Sequence, residues 1–400
     1  MLAMRELPKG ALMRRYVIIG AGLAGHRGAL ELRRLDPQAS IDLIGNEEVL
    51  PYDRPPLSKD VLLGKVASTT LMDADRYEEL DIRFHPGVRA NSIDRSAQTV
   101  GTDRGQRFPY DALLIATGSR PRRLPGVVTT GLNLCYLRTA ADAVRLRDEL
   151  RPGARVAVVG GGFIGLEAAA AARARGCDVS VLESADRILS RGLPVEAARY
   201  VHSLHTRNGI RIVTGARLEE IRGHYELQTQ TETFKADTVV VGVGILPNIE
   251  LAAAAGLELD DGIVVDGTCR TADPHIYAAG EVTAHPVPFG GRRRRLESWK
   301  VAQAQPLVAA SAMTGRAGLP YAELPWLWSD QFDLNLQLLG MPERAAQFRV
   351  RGNPEGASWT LVGLDEQGLP VSGVAINAGR DIAQLRRSIT RGTALPEDFF

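Results

Sequence analysis

The sequence predicts an α/β protein built from two strand–turn–helix domains, one inserted in the other, followed by a C-terminal α+β domain. Three observations predict it. The apolar run Arg15-Tyr-Val-Ile-Ile19 leads into Gly20-Ala-Gly-Leu-Ala-Gly25, with a helical stretch over about Leu23 to Leu35. The same grammar returns 140 residues later, where Arg155-Val-Ala-Val-Val159 leads into Gly160-Gly-Gly-Phe-Ile-Gly165 and an alanine-rich helix through about Arg175. Beyond Pro325 the pattern changes to short alternating runs, Phe348-Arg-Val-Arg351 and Ser358-Trp-Thr-Leu-Val362, with a helix from about Asp381. Alternation with period two reads as an antiparallel sheet, here with one or two helices.

Composition bounds the rest. The 400 residues suggest two or three domains at roughly 100–200 residues each. Hydrophobic residues make up 44% and charged residues 24%, enough for a sizeable core. The formal net charge of +1 gives no overall field toward nucleic acid or an acidic membrane. No apolar stretch approaches the roughly 20 residues needed to cross a bilayer. Met1 to Met13 reads as a short polar leader, with Met13 as an alternative start, and without a signal peptide the expected compartment is the cytoplasm. The three cysteines, Cys135, Cys177 and Cys269, are scattered and read as small buried hydrophobes rather than a redox pair. His202 and His205 lie one helical turn apart with no third ligand nearby, so they read as residues of a surface helix, and no metal is expected.

The glycines of each turn let backbone amides approach a pyrophosphate and let the helix pack on its strand, with the phosphate at the positive helix N-terminus. In the first unit, strand Ile41 to Ile44 ends at Asn46 and Glu47, and Glu47 stands 22 residues past Gly25. That is close to the offset of a ribose-binding acid. In the second, Val179 to Leu182 ends in Glu183, 18 residues past Gly165. A carboxylate there accepts from a ribose 2′-OH and repels a 2′-phosphate, which favours NADH over NADPH. Two such Rossmann-type units in one chain point to a flavin and a nicotinamide, between which hydride passes. Three further segments agree: Ala112-Leu-Leu-Ile-Ala-Thr-Gly118, Ala236 to Gly244 with Ile-Leu-Pro-Asn248, and Ile276-Tyr-Ala-Ala-Gly-Glu-Val282.

Several blocks carry a resemblance. These are Pro51-Tyr-Asp-Arg-Pro-Pro-Leu-Ser-Lys59, Tyr136-Leu-Arg-Thr139, Arg295-Leu-Glu-Ser-Trp299 with Ala302 and Gln305, and Pro325-Trp-Leu-Trp-Ser-Asp-Gln331. Together they make the chain similar, over nearly its whole length, to bacterial FAD-dependent NADH:ferredoxin reductases of the putidaredoxin reductase and biphenyl-dioxygenase reductase type. The resemblance implies that Gly20, Gly22, Leu23, Ala24 and Gly25 hold the FAD pyrophosphate. Asn46 or Glu47 would take its adenosine ribose; relatives often have an acid at the Asn46 position. Arg54, Lys59, Val88, Ala116, Thr117, Gly118, Arg138, Gly280, Glu281 and Trp299 would contact the flavin, although relatives usually have Asp where Glu281 stands. Lys59 would sit beside the isoalloxazine N5, and Glu167 would line the nicotinamide pocket and could pair with Lys59; these two carry the catalytic expectation. Gly160, Gly162, Phe163, Ile164, Gly165, Glu183, Gly242 and Gly244 would hold NAD(H).

The same resemblance implies an FAD domain over 1–120 with 248–324, an inserted NAD domain over 121–247 and a C-terminal domain over 325–400. The partner implied is a [2Fe-2S] ferredoxin serving a cytochrome P450 or a ring-hydroxylating dioxygenase, and the chain could be a monomer or a homodimer. For docking, the run Arg292, Arg293, Arg294, Arg295 and the aromatic pair Trp326 and Trp328 are candidates. A solvated loop is an equally natural reading of the arginines. From Pro325 onward 7 Arg face 9 acids, so that domain has no bulk basic bias. A rubredoxin reductase and an apoptosis-inducing-factor-like binding module stay open as alternatives. Glutathione-reductase-like, NADH-peroxidase-like and CoA-disulfide-reductase-like chemistry is disfavoured, because Pro-Pro-Leu-Ser-Lys stands where their cysteines belong.

Overall fold

The computed structural model describes residues 13–124, 134–223, 225–288 and 292–400. The leader segment up to Leu12 lies outside them. The chain divides into two compact units: Met1–Tyr52, Thr70–Ser119 and Pro247–Glu323 form one, and Asp53–Thr69, Arg120–Leu246 and Leu324–Phe400 the other. The segment 53–69, which the sequence reading placed with the first domain, thus packs within the second unit.

In the first unit the run Arg15–Ile19 becomes the central strand of a five-stranded parallel sheet. The order is Ile276–Ala278, Ala112–Ile115, Arg15–Ile19, Ser40–Ile44, Ile82–His85. Strands buried on both faces favour apolar residues at successive positions, which is why 16–19, 112–115 and 276–278 read as hydrophobic runs, whereas Ser40–Ile44 buries Asp42 against Arg83 of the neighbouring strand. Tyr16 and Ile18 pack on one face with Leu32 of the helix Leu23–Leu35 and Ala309 of the helix Trp299–Met313. Val17 and Ile19 pack on the other with Val100 and Phe108 of a three-stranded antiparallel sheet. Arg293–Arg295, expected in a loop, forms a strand antiparallel to Thr283–Pro286.

The second unit repeats the plan. Its parallel sheet runs Arg211–Val213, Asp178–Leu182, Arg155–Val159, Thr238–Val241, Cys135–Tyr136. The helix Phe163–Ala174 buries Leu166 through Ala172 without a break. It lies between its own sheet and the strand Trp326–Gln331, and alanines allow close approach on both sides. The C-terminal segment forms a five-stranded antiparallel sheet in the order Trp326–Gln331, Leu334–Gly340, Pro370–Ile376, Trp359–Leu364, Gln347–Gly352. The helix Gly379–Arg391, beginning two residues earlier than expected, covers one face through Ile382, Leu385 and Ile389.

His205 is a correction. It sits on the helix Val195–Arg207, as the sequence suggested, but it is fully buried rather than on the surface. Ala197, Ala198, Val201, Leu204 and His205 form the inward stripe of that helix. A histidine at such a position follows the stripe inward when a polar partner waits there. Among the described residues no helix is long and apolar enough to cross a membrane.

Candidate functional site

The glycines of each strand–helix turn differ in what surrounds them. In the first unit Gly20 has φ +110°, and a Cβ there would lie 2.2 Å from the Ala116 carbonyl oxygen. A Cβ on Gly25 would lie 1.8 Å from the Gly20 oxygen, so strand and helix touch backbone to backbone. The middle glycine behaves differently: a Cβ on Gly22 would meet nothing within 4 Å. The helix Leu23–Leu35 starts there with no side-chain cap, leaving its first amides without a side-chain acceptor. Two glycines are fixed by the fold and one faces open space beside uncapped amides, which fits a bound pyrophosphate.

The second turn has the same division. Cβ atoms on Gly160 and Gly165 would lie 2.4 Å from the Gly242 oxygen and 2.2 Å from the Gly160 oxygen, whereas Gly162 has only the Gly242 oxygen, 4.0 Å away. The helix from Phe163 is likewise uncapped by a side chain. Gly242 owes its place to this contact, since a Cβ on it would meet Gly165 Cα at 3.2 Å. Gly244 has φ +102°. Ile164 is exposed on the first helical turn. Glu183 turns back over the glycine turn: its Oε2 accepts from the Gly161 amide at 2.7 Å and its Oε1 from the Ala185 amide at 2.7 Å. The carboxylate is therefore held over the glycine turn by two backbone amides.

The remaining first-unit residues fall into place locally. Asn46 is exposed, while Glu47 is half-buried and accepts from the Tyr52 hydroxyl at 2.7 Å. Val88 is in the core and its amide donates to Gly45 O at 2.9 Å. Ala116 is buried, Thr117 Oγ1 donates to Asn248 O at 2.8 Å, Asn248 Nδ2 returns to Thr117 O at 2.8 Å, and the Asn248 amide reaches Gly118 O at 2.9 Å. Gly280, at φ +90°, gives its amide to Gln305 Oε1 at 2.8 Å, and Thr283 Oγ1 reaches the same oxygen at 3.0 Å. Gln305 thus fixes the turn that presents Glu281, a role the sequence quoted but did not assign. Trp299 is the first residue of its helix, behind the Ser298 cap.

In the second unit Thr139 and Asp142 form a capping box at the start of the helix Ala140–Glu149. It fixes the Arg138 carbonyl, which accepts from Arg54 Nη1 at 2.5 Å. The short turn Pro55–Ser58 then carries Ser58 and Lys59 to the helix Phe163–Ala174. There Glu167, 3% exposed, is an acidic residue in a wall of alanines. Its Oε1 pairs with Lys59 Nζ at 3.0 Å and accepts from Ser329 Oγ at 2.5 Å; its Oε2 accepts from Ser58 Oγ. Lys59 Nζ also lies 5.9 Å from the centre of the Trp328 ring. A buried carboxylate needs this many donors and a compensating charge.

The expected Lys59–Glu167 pair therefore forms. Sequence reasoning missed Ser58 and Ser329, although both stand within the Pro51–Lys59 and Pro325–Gln331 segments that carry the resemblance. Trp326 and Trp328 stack at 5.0 Å, and Arg386 lies 6.0 Å from the Trp326 ring centre. Of the arginine run, Arg292, Arg293 and Arg294 are exposed, whereas the Arg295 side chain is 8% exposed and paired with Asp261 at 3.2 Å and Glu297 at 2.8 Å. That charge is already neutralised and contributes little as a docking cation. All three cysteines are buried free thiols, and burial pushes Cys269 up to about 12 and raises Cys135 and Cys177. They stay protonated and unreactive.

Comparison with known proteins agrees with this geometry. The pyridine nucleotide-disulphide oxidoreductase model matches residues 14–306, and the reductase C-terminal model matches 326–400. The chain is 48% identical over 388 residues to the anthranilate 1,2-dioxygenase system ferredoxin–NAD(+) reductase component of Burkholderia cepacia, covering 96% of this chain and 95% of that protein. Among solved structures, the ferredoxin reductase for the CYP199A2 system from Rhodopseudomonas palustris superposes with a TM-score of 0.91 at 35% identity, covering 96% of each chain. The reductase in the covalent putidaredoxin reductase–putidaredoxin complex gives 0.90 at 33% identity, covering 94% of this chain and 93% of that one. With one model spanning most of the chain and a relative nearly half identical along its length, the protein belongs to the pyridine nucleotide-disulphide oxidoreductase family.

Proposed function

We propose that the chain is an FAD-dependent NADH:ferredoxin reductase, taking electrons from NADH and passing them to a [2Fe-2S] ferredoxin of a cytochrome P450 or dioxygenase system. The observation that carries the reading is the pair of glycine cradles, each with an open middle glycine, in a chain whose cysteines are all buried. Two dinucleotides without a reactive dithiol point to an acceptor outside the chain, and the similarity to ferredoxin reductases supports a one-electron carrier in that place. FAD, when bound, supplies the conversion of a two-electron hydride into single electrons. Gly20, Gly22 and Gly25 would hold its pyrophosphate, with Glu47 and Glu281 on its ribose and ribityl hydroxyls. Gly160, Gly162 and Gly165 would hold that of NADH, with Glu183 selecting against NADPH.

The chain's own part in the reaction is placement and charge. Lys59 brings a cation to a nearly dry site, where it would favour negative charge on the reduced ring. Glu167 balances that cation and would orient the nicotinamide. Holding donor and acceptor in contact then does most of the catalysis, with no acid or base needed for hydride transfer. For the partner, the helix Gly379–Arg391 carries Arg380, Arg386, Arg387 and Arg391 against the single acid Asp381, and Arg386 reaches the Trp326–Trp328 stack. Although the domain as a whole is not basic, this helix is, and it suits an acidic ferredoxin; Arg292, Arg293 and Arg294 are a second exposed basic strip. The same reading keeps the cytoplasmic location expected from sequence.

Anaerobic stopped-flow absorbance tests it. NADH should bleach the flavin quickly, NADPH far more slowly, and oxidised [2Fe-2S] ferredoxin should restore the colour. Equal reduction by NADPH would remove the role given to Glu183. A reduced complex that ferredoxin barely discharges would favour a binding module over a reductase.

A further inference from the structure

Glu167 does not end its polar contacts at Ser329. Gln331 Nε2 donates to Ser329 Oγ at 2.8 Å, and Gln331 Oε1 lies 2.6 Å from His205 Nε2. Ser329 and Gln331 point the same way from the strand Trp326–Gln331, both buried, with exposed Asp330 between them. His205 comes from a different element, the inward stripe of the helix Val195–Arg207, and no part of it is exposed. Four side chains from three elements thus form one line in a dry interior.

The line has a direction. Burial pushes His205 down to about 4, so the ring is neutral and has a single N–H. Its Nδ1 has no partner among the described residues, which assigns the proton to Nε2 and makes Gln331 Oε1 the acceptor. Gln331 must then present its NH2 to Ser329. With that lone pair of Ser329 filled, its single proton goes to Glu167. Every donor aims at the carboxylate, and such chains strengthen one another in a low dielectric. The far end is anchored: the His205 and Phe332 rings lie edge to face with centres 5.3 Å apart, and Phe332 has φ +56°, an uncommon conformation for a bulky residue.

We propose that His205 and Gln331 are positioning residues for Glu167, acting through Ser329 to fix the carboxylate oxygen that Lys59 also holds. This rests on the reading of Glu167 as the residue that orients the nicotinamide. A histidine present only to fill the core would not need its ring nitrogen tied to a line of donors ending on that carboxylate.

The test is a double-mutant cycle on the FAD-loaded protein with His205→Phe, Ser329→Ala and the pair combined. Two quantities are read: the NAD+ dissociation constant by calorimetry and kcat/KM for NADH. Each single change should weaken both by about three- to tenfold, the size expected for loss of one hydrogen bond. The double variant should be no worse than the poorer single, because both cut the same line. His205→Gln, which keeps a donor, should return both quantities to within about twofold of the unchanged protein. Multiplying effects in the double variant, or no rescue by His205→Gln, would overturn the proposal. Should His205→Phe not fold, Gln331→Leu replaces it in the same cycle. Glu167→Gln separates the two readings. If it changes NADH handling while His205→Phe and Gln331→Leu do not, the relay alone fails; if it changes nothing, the role of Glu167 fails and the relay with it.

Discussion

At the scale of single residues, the two cradles divide glycines by what limits them. Gly25 is fixed by backbone contact, so Gly25→Ala forces a Cβ against the Gly20 oxygen and should destabilise the fold by about 1–3 kcal/mol, read as a lower unfolding midpoint. Gly22 has space and φ −83°, so Gly22→Ala should fold normally and fail to retain FAD, read as a colourless protein with an ordinary midpoint. Lys59 and Glu167 divide in a related way. Lys59→Met leaves Glu167 buried without its counter-charge, which costs about 3 kcal/mol, or a drop in Tm of about 5–10 °C. Glu167→Gln keeps the shape and loses the charge, so its Tm should fall less, while both slow flavin reduction by about tenfold or more. Equal Tm values for the two variants would mean that Lys59 is solvated.

Among elements, the joint between the helix Trp299–Met313 and the turn at Gly280 does the positioning in the first unit. Gln305 is fully buried and its Oε1 accepts from both the Gly280 amide and the Thr283 hydroxyl. Gln305→Leu strands the Gly280 amide in the core, while the Thr283 hydroxyl keeps the Gly280 carbonyl oxygen at 2.9 Å as acceptor, a loss of about 1–2 kcal/mol. Because that turn carries Glu281, FAD should also leave faster, measurable as fluorescence released on dilution. An unchanged off-rate would separate the turn from flavin binding. The elements themselves were legible: the helix Leu23–Leu35 and the strand Arg155–Val159 have the limits their periodicity implies. The strand Arg293–Arg295 was not, since four consecutive arginines carry no alternation and only pairing with Thr283–Pro286 makes them a strand.

For the whole molecule, acid is the weakness. His26, His205 and His285 are buried, and burial pushes each from 6.5 down to about 4. Unfolded, these rings take a proton near pH 6.5; folded, they refuse it until about pH 4. Between those values the unfolded state binds more protons, so stability is full above about pH 6.5 and falls as the pH drops toward 4. Each ring can contribute at most about 3 kcal/mol to that loss. Asp237, which hydrogen bonds from Arg155 pull down to about 2, adds to the loss only below its ordinary carboxylate range. Denaturant midpoints measured from pH 7.5 to 4.5 should therefore fall steadily below about pH 6.5. A flat profile would show that the three rings are hydrated.

The sequence by itself determined the two strand–glycine turn–helix units and the C-terminal sheet, because each is written within a few tens of neighbouring residues. Strand, glycine turn and helix follow from backbone sterics and hydrophobic period, and Glu47 and Glu183 were marked by their offset past the turn. The Pro-Pro-Leu-Ser-Lys and Trp-Ser-Asp-Gln blocks carried the resemblance to the family, which pointed to Lys59 in the first block and to Glu167 two residues beyond Gly165. What only the tertiary structure decided is the environment of Glu167. Its partners Ser58 and Ser329 stand 109 and 162 positions away, and His205 joins Gln331 across 126. No local pattern links such residues. They meet because a buried charge must collect donors from whichever elements the packed sheets and helices bring to it.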